Sequence, residues 1–140
     1  MPDDMLAHNR GLIEEFRAAG GFPERPLLLL TTVGRRSGQE RTSPMMYVRS
    51  GDRILVIASN AGAAEHPLWY GNLLAEPAVT VELPGETFAA QAVPLAGDDY
   101  DREWAAITES FPFFVEHQAK AGDRRIPVVA LIPAGRPEPS

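Results

Sequence analysis

The chain has 140 residues, enough for one domain that buries roughly 68–70% of its unfolded surface. Hydrophobic residues make up 44% and charged residues 23%, and the net charge of −6 argues against a protein held to nucleic acid by bulk attraction to phosphate. Cysteine is absent, which excludes disulfides, iron–sulfur clusters, thiolate zinc sites and a cysteine nucleophile.

The start, Met1-Pro2-Asp3-Asp4, is acidic where a secretory signal is basic, and the longest aliphatic run, Leu27 to Leu30, is far too short for a membrane span. Cytoplasmic residence is the expectation. Residues 3–19 read as an amphipathic helix, with Asp3 or Asp4 as cap, Leu6, Leu12, Ile13 and Phe16 near one face, and Gly20-Gly21 as its end. Leu27–Val33 reads as a strand buried on both faces. A polar, glycine-bounded connection follows at residues 34–40. Arg41–Val48 is a second strand, and Pro44 restricts it to an edge, a bulge or a strand start. Ser50-Gly51-Asp52 is a tight turn and Arg53–Ser59 a third strand.

Residues 60–65 form a loop of mostly small residues. His66-Pro67 opens a helix to about Ala75, with Pro67 suited to the first helical position. Val79–Leu83 and Glu86–Leu95 pair across Pro84-Gly85 as a hairpin. Asp98 or Asp99 caps a helix through Glu109. A short aromatic segment runs from Phe111 to Lys120, and Arg125–Ile132 is a last strand. The proline-rich tail from Pro133 to Ser140 reads as frayed.

About six strands and three or four helices result. The strands come mostly as hairpins, so the predicted sheet is antiparallel, an α+β arrangement with almost no crossover units. Such a sheet hides its edges by closing or half-closing into a barrel, or by pairing with a second copy as a homodimer.

The common catalytic patterns fail. Gly34 to Gly38 is no Walker loop, no GxGxxG or GxSxG occurs, and His8, His66 and His117 share no metal-ligand spacing, so no metal is expected. An enzyme of this composition leans on a cofactor. The most informative stretch, Arg35-Arg36-Ser37-Gly38-Gln39-Glu40-Arg41, carries +3 − 1 = +2 within a chain of −6. Guanidinium forks, a hydroxyl and glycine-freed N–H groups suit phosphate or carboxylate. A solvated hairpin is the plainer reading of the same residues. A second constellation runs from Ala58-Ser59-Asn60-Ala61-Gly62-Ala63 to His66-Pro67-Leu68-Trp69-Tyr70-Gly71-Asn72-Leu73. Small residues at a strand end let a flat ring approach the backbone. Gly71 and Asn72 are poor helix formers, so something other than propensity selects them. Trp69 and Tyr70 fit equally as plain core.

These residues carry a resemblance. Leu28 to Thr42, with Thr31-Thr32-Val33-Gly34-Arg35-Arg36-Ser37-Gly38 at its centre, resembles the opening motif of the deazaflavin-dependent nitroreductase family. Ala58 to Ala63, His66 to Leu73 and Pro77 to Val81 resemble its second motif. Phe111-Pro112, Gln118 and Asp123 to Val128 resemble its C-terminal signature. The three lie in order over most of residues 27–132.

The resemblance implies a split β-barrel, comprising residues 23–133 after an N-terminal helical segment at 1–22 and before a tail at 134–140. It implies binding of coenzyme F-420, a deazaflavin with a phosphate and a polyglutamate tail, and hydride transfer to quinones, activated alkenes or nitro compounds. Carried over by position, Arg35, Arg36, Ser37 and Arg41 meet the phosphate and tail. Thr42, Ser43, Pro44, Met45 and Met46 line the barrel beside the cofactor. Ile57, Ala58, Ser59 and Asn60 hold the ring, and Leu68, Trp69, Tyr70, Gly71 and Asn72 complete the pocket. Ser59 is the candidate donor to substrate and His117 the candidate proton source.

Phe111, Phe114 and His117 occupy positions that are commonly tyrosine in the best-known nitroreductase branch, and are expected to wall the substrate site. Without those hydroxyls the wall favours quinones and enones over nitro compounds. Three functional classes stand: an F-420-dependent reductase of a small molecule, a carrier that binds the coenzyme without chemistry, and an FMN-binding split barrel. The N-terminal helix is a candidate for weak contact with a membrane surface. However, Asp3, Asp4, Glu14 and Glu15 oppose Arg10 and Arg17 and leave no basic face for anionic lipid.

Overall fold

The computed structural model describes residues 2–19, 27–51, 53–63 and 65–134. Six strands, β1 (Leu27–Val33), β2 (Glu40–Ser50), β3 (Arg53–Ile57), β4 (Ala78–Leu83), β5 (Glu86–Pro94) and β6 (Val128–Pro133), close a barrel in the order β1-β2-β3-β6-β5-β4. Every pairing is antiparallel. Closure leaves no free outer strand, which is the predicted solution to the edge problem.

The strands form where β-branched and leucine residues alternate about the barrel wall. Leu28 and Leu30 point inward with Val56, Val81, Val129 and Leu131, while Leu29 on the opposite face is also fully buried. That double burial is what the uninterrupted run at 27–30 predicts. Each such leucine contributes about 1.5–3 kcal/mol by leaving water. Pro44 stands in the middle of β2, opposite Leu29, yet the edge reading holds locally. Residues 40–46 pair only with β1, because β3 takes up the ladder at Tyr47–Val56.

Four helices surround the barrel: α1 (Pro2–Ala19), α2 (Leu68–Ala75), α3 (Gly97–Ser110) and α4 (Phe113–Ala121). α1 lies against β2, buries Phe16 and is tied to β4 by Arg17, whose Nε and Nη2 meet the Glu82 carboxylate at 3.1 and 2.9 Å. On the outer wall, Leu55, Val128 and Ala130 form a second core with Tyr100, Ile107 and Phe114 of α3 and α4. Ser50 and Arg53 anchor α3 to the β2–β3 hairpin. The Ser50 hydroxyl meets both Glu103 oxygens at 2.9 and 2.8 Å, and Arg53 binds Asp99 bidentately at 2.9 Å while also meeting buried Glu103.

Several boundaries differ from expectation. α1 begins at Pro2, so Asp3 and Asp4 lie inside its first turn instead of capping it, and Gly20-Gly21 falls outside the described residues, as does the side chain of Leu6. Pro67 is the residue before α2, in extended conformation (φ −64°, ψ 153°), not the first helical residue. Its ring still stops the helix from starting earlier. Ala96 takes the cap position of α3 and makes no side-chain cap bond, so Asp98 and Asp99 act from within the first turn. There they complement the helix dipole, and Asp99 is spent on Arg53. β3 ends at Ile57, two residues early, because Ala58 N–H turns to the Pro127 carbonyl at 3.0 Å. β5 ends at Pro94 and β6 starts at Val128, after Pro127. The tail beyond Ala134 lies outside the described residues.

Candidate active site

Antiparallel order sorts the connections by end. β2–β3 and β4–β5 turn tightly at one end, at Gly51 and at Pro84-Gly85. The β1–β2, β3–β4 and β5–β6 connections therefore all emerge at the other end. Arg35 to Ser37, the 58–66 loop, α2 and α4 belong to those three connections. Register alone brings the three motif regions to one rim.

The first connection is a tight turn. Gly38 N–H bonds the Gly34 carbonyl and Gly34 N–H bonds the Gln39 carbonyl, both at 2.8 Å, and Gly38 takes φ +72°. Ser37 Oγ accepts from Gln39 N–H at 3.2 Å, so the predicted phosphate hydroxyl also shapes the turn. Arg36 and Arg41 project from it into solvent, with no acidic partner among the described residues. Beyond it, Thr42 pairs with Thr31 by a 2.8 Å hydroxyl contact. Ser43 to Met46 are half-buried. Met45 packs on the inner core and Met46 on the outer one, so the two methionines serve opposite faces.

α2 closes the rim beside this turn. Leu73 is its inward anchor, and Trp69 and Tyr70 pack on the inner core, half-buried; Leu68 and Leu74 are exposed. Asn72 is buried and links three elements: its Oδ1 accepts from Arg35 N–H at 3.2 Å and Nη1 at 3.4 Å, and its Nδ2 donates to Thr32 Oγ1 at 3.4 Å. Gly71 lies directly under the Arg35 guanidinium. The two weak helix formers are thus explained by contacts, as their low propensity suggests.

The 58–66 loop is held from behind by Arg124, a residue quoted in the sequence motif but given no role there. Its Nε donates to the Ala63 carbonyl at 2.9 Å, and its two terminal nitrogens to the Ala58 and Ser59 carbonyls at 3.0 and 2.6 Å. Its Nη1 also meets His66 Nδ1 at 3.0 Å. Burial holds the His66 pKa below 6.5, with the Arg124 charge as the second cause. His66 is therefore neutral at pH 7 and accepts from Arg124. Its ring also rests 4.8 Å from that of Tyr70, which joins the loop to α2.

Gly62, at φ +81°, backs onto α4. A Cβ there would come within 2.8 Å of the His117 carbonyl and 2.9 Å of Lys120 Cβ. This contact sets the turn at residues 60–62, which follows Ser59, against the α4 backbone at His117. Ala58 is fully buried, Ile57 packs on the outer core, and Asn60 takes φ +49° with its Nδ2 donating to the Glu65 carbonyl at 3.0 Å. His117 Nδ1 is buried and has no hydrogen-bond partner among the described residues. Phe111, Phe114 and His117 do gather, with ring centroids 6.5 and 5.8 Å apart along the series. Phe114, however, is only 4% exposed and belongs to the outer core. Phe113, not singled out from the sequence, is 40% exposed and lies 5.5 Å from the His117 ring. The i, i+4 spacing of Phe113 and His117 is the signal that could have found it.

The sequence profile of F420H(2)-dependent quinone reductases matches residues 9–133. The chain belongs to this family. An F420H(2)-dependent quinone reductase of Mycobacterium tuberculosis is 36% identical over 108 residues, covering 76% of this chain and 72% of that one. The solved structure of an F420-H2 dependent reductase, FDR-A, is 35% identical with a TM-score of 0.68, covering 76% of this chain and 94% of that one. Another solved structure, described as a domain-swapped dimer, is 31% identical with a TM-score of 0.71 and covers 94% and 99%.

As a member of an F420H(2)-dependent oxidoreductase family, the chain has coenzyme F-420 as its cofactor. The residues at the rim suit that molecule. Three arginines without acidic partners among the described residues would suit an anionic tail, a glycine-floored α2 borders them, and the loop of small residues backs onto α4, whose His117 has a buried ring nitrogen with no partner among those residues. Among the described residues no helix is long and apolar enough to cross a membrane.

Proposed function

We propose that the chain reduces quinone-like small molecules with hydride from reduced coenzyme F-420. The observation that carries this is the cluster of Arg35, Arg36 and Arg41 around one glycine turn, with no carboxylate paired to it among the described residues. Guanidinium groups bind phosphate and carboxylate through paired N–H donors, so the cluster is suited to the phosphate and glutamates of the coenzyme. Thr42 to Met46 and Ile57 to Asn60 flank the ring, and Trp69 and Tyr70 close the far side.

When bound, the coenzyme supplies a hydride from its ring carbon; the protein supplies distance, orientation and a proton. Ser59 Oγ makes no hydrogen bond among the described residues and is free to donate to an acceptor oxygen. His117, on the α4 face that packs against the turn after Ser59, is the proposed second polar group. Burying its Nδ1 without a partner costs about 1–3 kcal/mol, a cost that a bonded substrate or coenzyme oxygen would offset. Phe113 supplies the apolar wall assigned to Phe114 by sequence. A wall of Phe111, Phe113 and His117 has no hydroxyl, which supports quinones and enones over nitro compounds.

The test is a spectral titration of the apoprotein with F-420 and with FMN, then steady-state oxidation of reduced F-420 with a quinone, an enone and a nitroaromatic. Binding of F-420 with quinone turnover is expected. Preference for FMN would overturn the cofactor, and binding without turnover of any acceptor would make the protein a carrier. We also propose that the protein is cytoplasmic and pairs with a second copy, tested by sedimentation, and that α1 contacts membrane surfaces at most weakly, tested by vesicle flotation.

A further inference from the structure

We infer that Gly71 and Asn72 form a seat that fixes the Arg35 guanidinium for the phosphate of the coenzyme. This inference rests on the F-420 reading above. Of the three rim arginines, Arg35 is the only one whose head group is hydrogen-bonded among the described residues. Its backbone N–H and its Nη1 both converge on Asn72 Oδ1, at 3.2 and 3.4 Å. Asn72 is itself buried and tied to Thr32, so the anchor is rigid. Beneath it, Gly71 leaves open the space that the guanidinium fills. A Cβ at position 71 would overlap Arg35 Nη1 and stand 3.0 Å from Cζ.

The protein leaves the held guanidinium largely unmatched. Gly71 is the fourth of the eight residues of α2, so the guanidinium lies over mid-helix and gains nothing from the negative C-terminal end. No acidic side chain among the described residues pairs with it. Asn72 takes up one amino group, which leaves most of the fork free. A held cation with open N–H donors and no acidic partner among the described residues is matched by a compact dianion or phosphodiester. Arg36 and Arg41, exposed like Arg35 but with no side-chain hydrogen bond among the described residues, suit the flexible carboxylates of the glutamate tail. The seat thus separates a rigid phosphate reader from two adaptable tail contacts.

Gly71→Ala is the decisive variant. Alanine is the better helix former, so a purely structural role predicts equal or higher thermal stability and unchanged binding. The clashing atom is the far end of a flexible side chain, so Arg35 swings away and the fold stays. Binding is read by fluorescence titration with F-420 and with the deazaflavin ring lacking phosphate and tail. The seat predicts about ten- to a hundredfold weaker F-420 binding, unchanged ring binding and an unchanged or raised Tm. Arg35→Ala should give the same loss, and the double variant no more than either single one. Unchanged F-420 affinity in Gly71→Ala, equal losses for both ligands, additive losses in the double variant, or a Tm that falls in step with affinity would each overturn the seat. Wild-type protein that fails to bind F-420 would instead overturn the functional reading beneath it.

Discussion

At the turn end of the barrel, Arg17 closes on Glu82 and Arg53 on Asp99 and Glu103. At the connection end, Arg35, Arg36 and Arg41 crowd one turn without an acid among the described residues, and Arg124 spends its donors on carbonyls. The lack of an acid is not distinctive alone, since Arg10 and Arg49 also have none, and Arg49 simply lies 5.8 Å over the Tyr47 ring. What separates the ends is clustering. Paired arginines fasten helices to the barrel, whereas like charges gathered on one short turn repel each other and invite an anion. One residue type serves scaffold at one end and ligand at the other.

The strongest way to break this contrast is to empty the cradle. Arg36→Ala with Arg41→Ala should weaken F-420 binding by about 3–6 kcal/mol, if each makes one charge-assisted contact, and leave thermal stability nearly unchanged. A folded double variant with full affinity would remove the ligand role. The converse experiment is at the other end. Glu103→Ala leaves Arg53 partly buried and half-paired and frees the Ser50 hydroxyl, so urea unfolding should show a loss of about 2–4 kcal/mol. Coenzyme affinity should not follow it.

Arg124 tests whether the two roles mix. Arg124→Lys keeps the charge but cannot reach three carbonyls and His66 at once. Stability should fall by about 1–2 kcal/mol, with F-420 and the tail-less ring weakened alike, since the ring-side loop and not the cradle is loosened. The smallest effect is the pH dependence. His66 has a lowered pKa, so the fold binds fewer protons there than the unfolded chain. Its stabilising share is full above pH 6.5 and fades as pH falls through the folded value. Asp99, held low chiefly by its hydrogen bonds to Arg53, has the same sign, and its share fades only as pH falls below 3.8. Denaturant midpoints measured from pH 7.5 to 3.5 should show the first decline in wild type and not in His66→Gln.

Most of the scaffold was legible because it is local. Leu27–Val33 follows from its unbroken apolar run, and the Pro84-Gly85 hairpin and the antiparallel pairing follow from short strands set between turn residues. Pro44 even marked the stretch of β2 left open on one side. Propensity also flagged Gly71 and Asn72, though not Arg35 as their partner. Helix starts differ by one to three residues: Pro67 is the cap of α2 and not its first residue, and Ala96 caps α3 two or three residues before the expected Asp98 or Asp99. Harder to read were contacts that close over long loops. Arg124 reaches carbonyls 61 to 66 residues away, and nothing near it in sequence says so. Nor does the aromatic spacing at 111–117 tell which phenylalanine faces inward, because α4 buries Phe114 against α3 and leaves Phe113 outside.

The one-sided pairing of β2 also bears on how the protein stays separate from its neighbours. Residues 40–46 leave a row of backbone groups facing away from β1. Such a row is a template on which another chain's strand can add. Pro44 stands in the middle of it with no N–H to lend, its ring is bulky, and Arg41 adds charge toward one end. The rim that must stay open for a coenzyme is thereby kept from zipping up with a stranger's backbone, so a proline seated within a continuous strand guards the opening against aggregation.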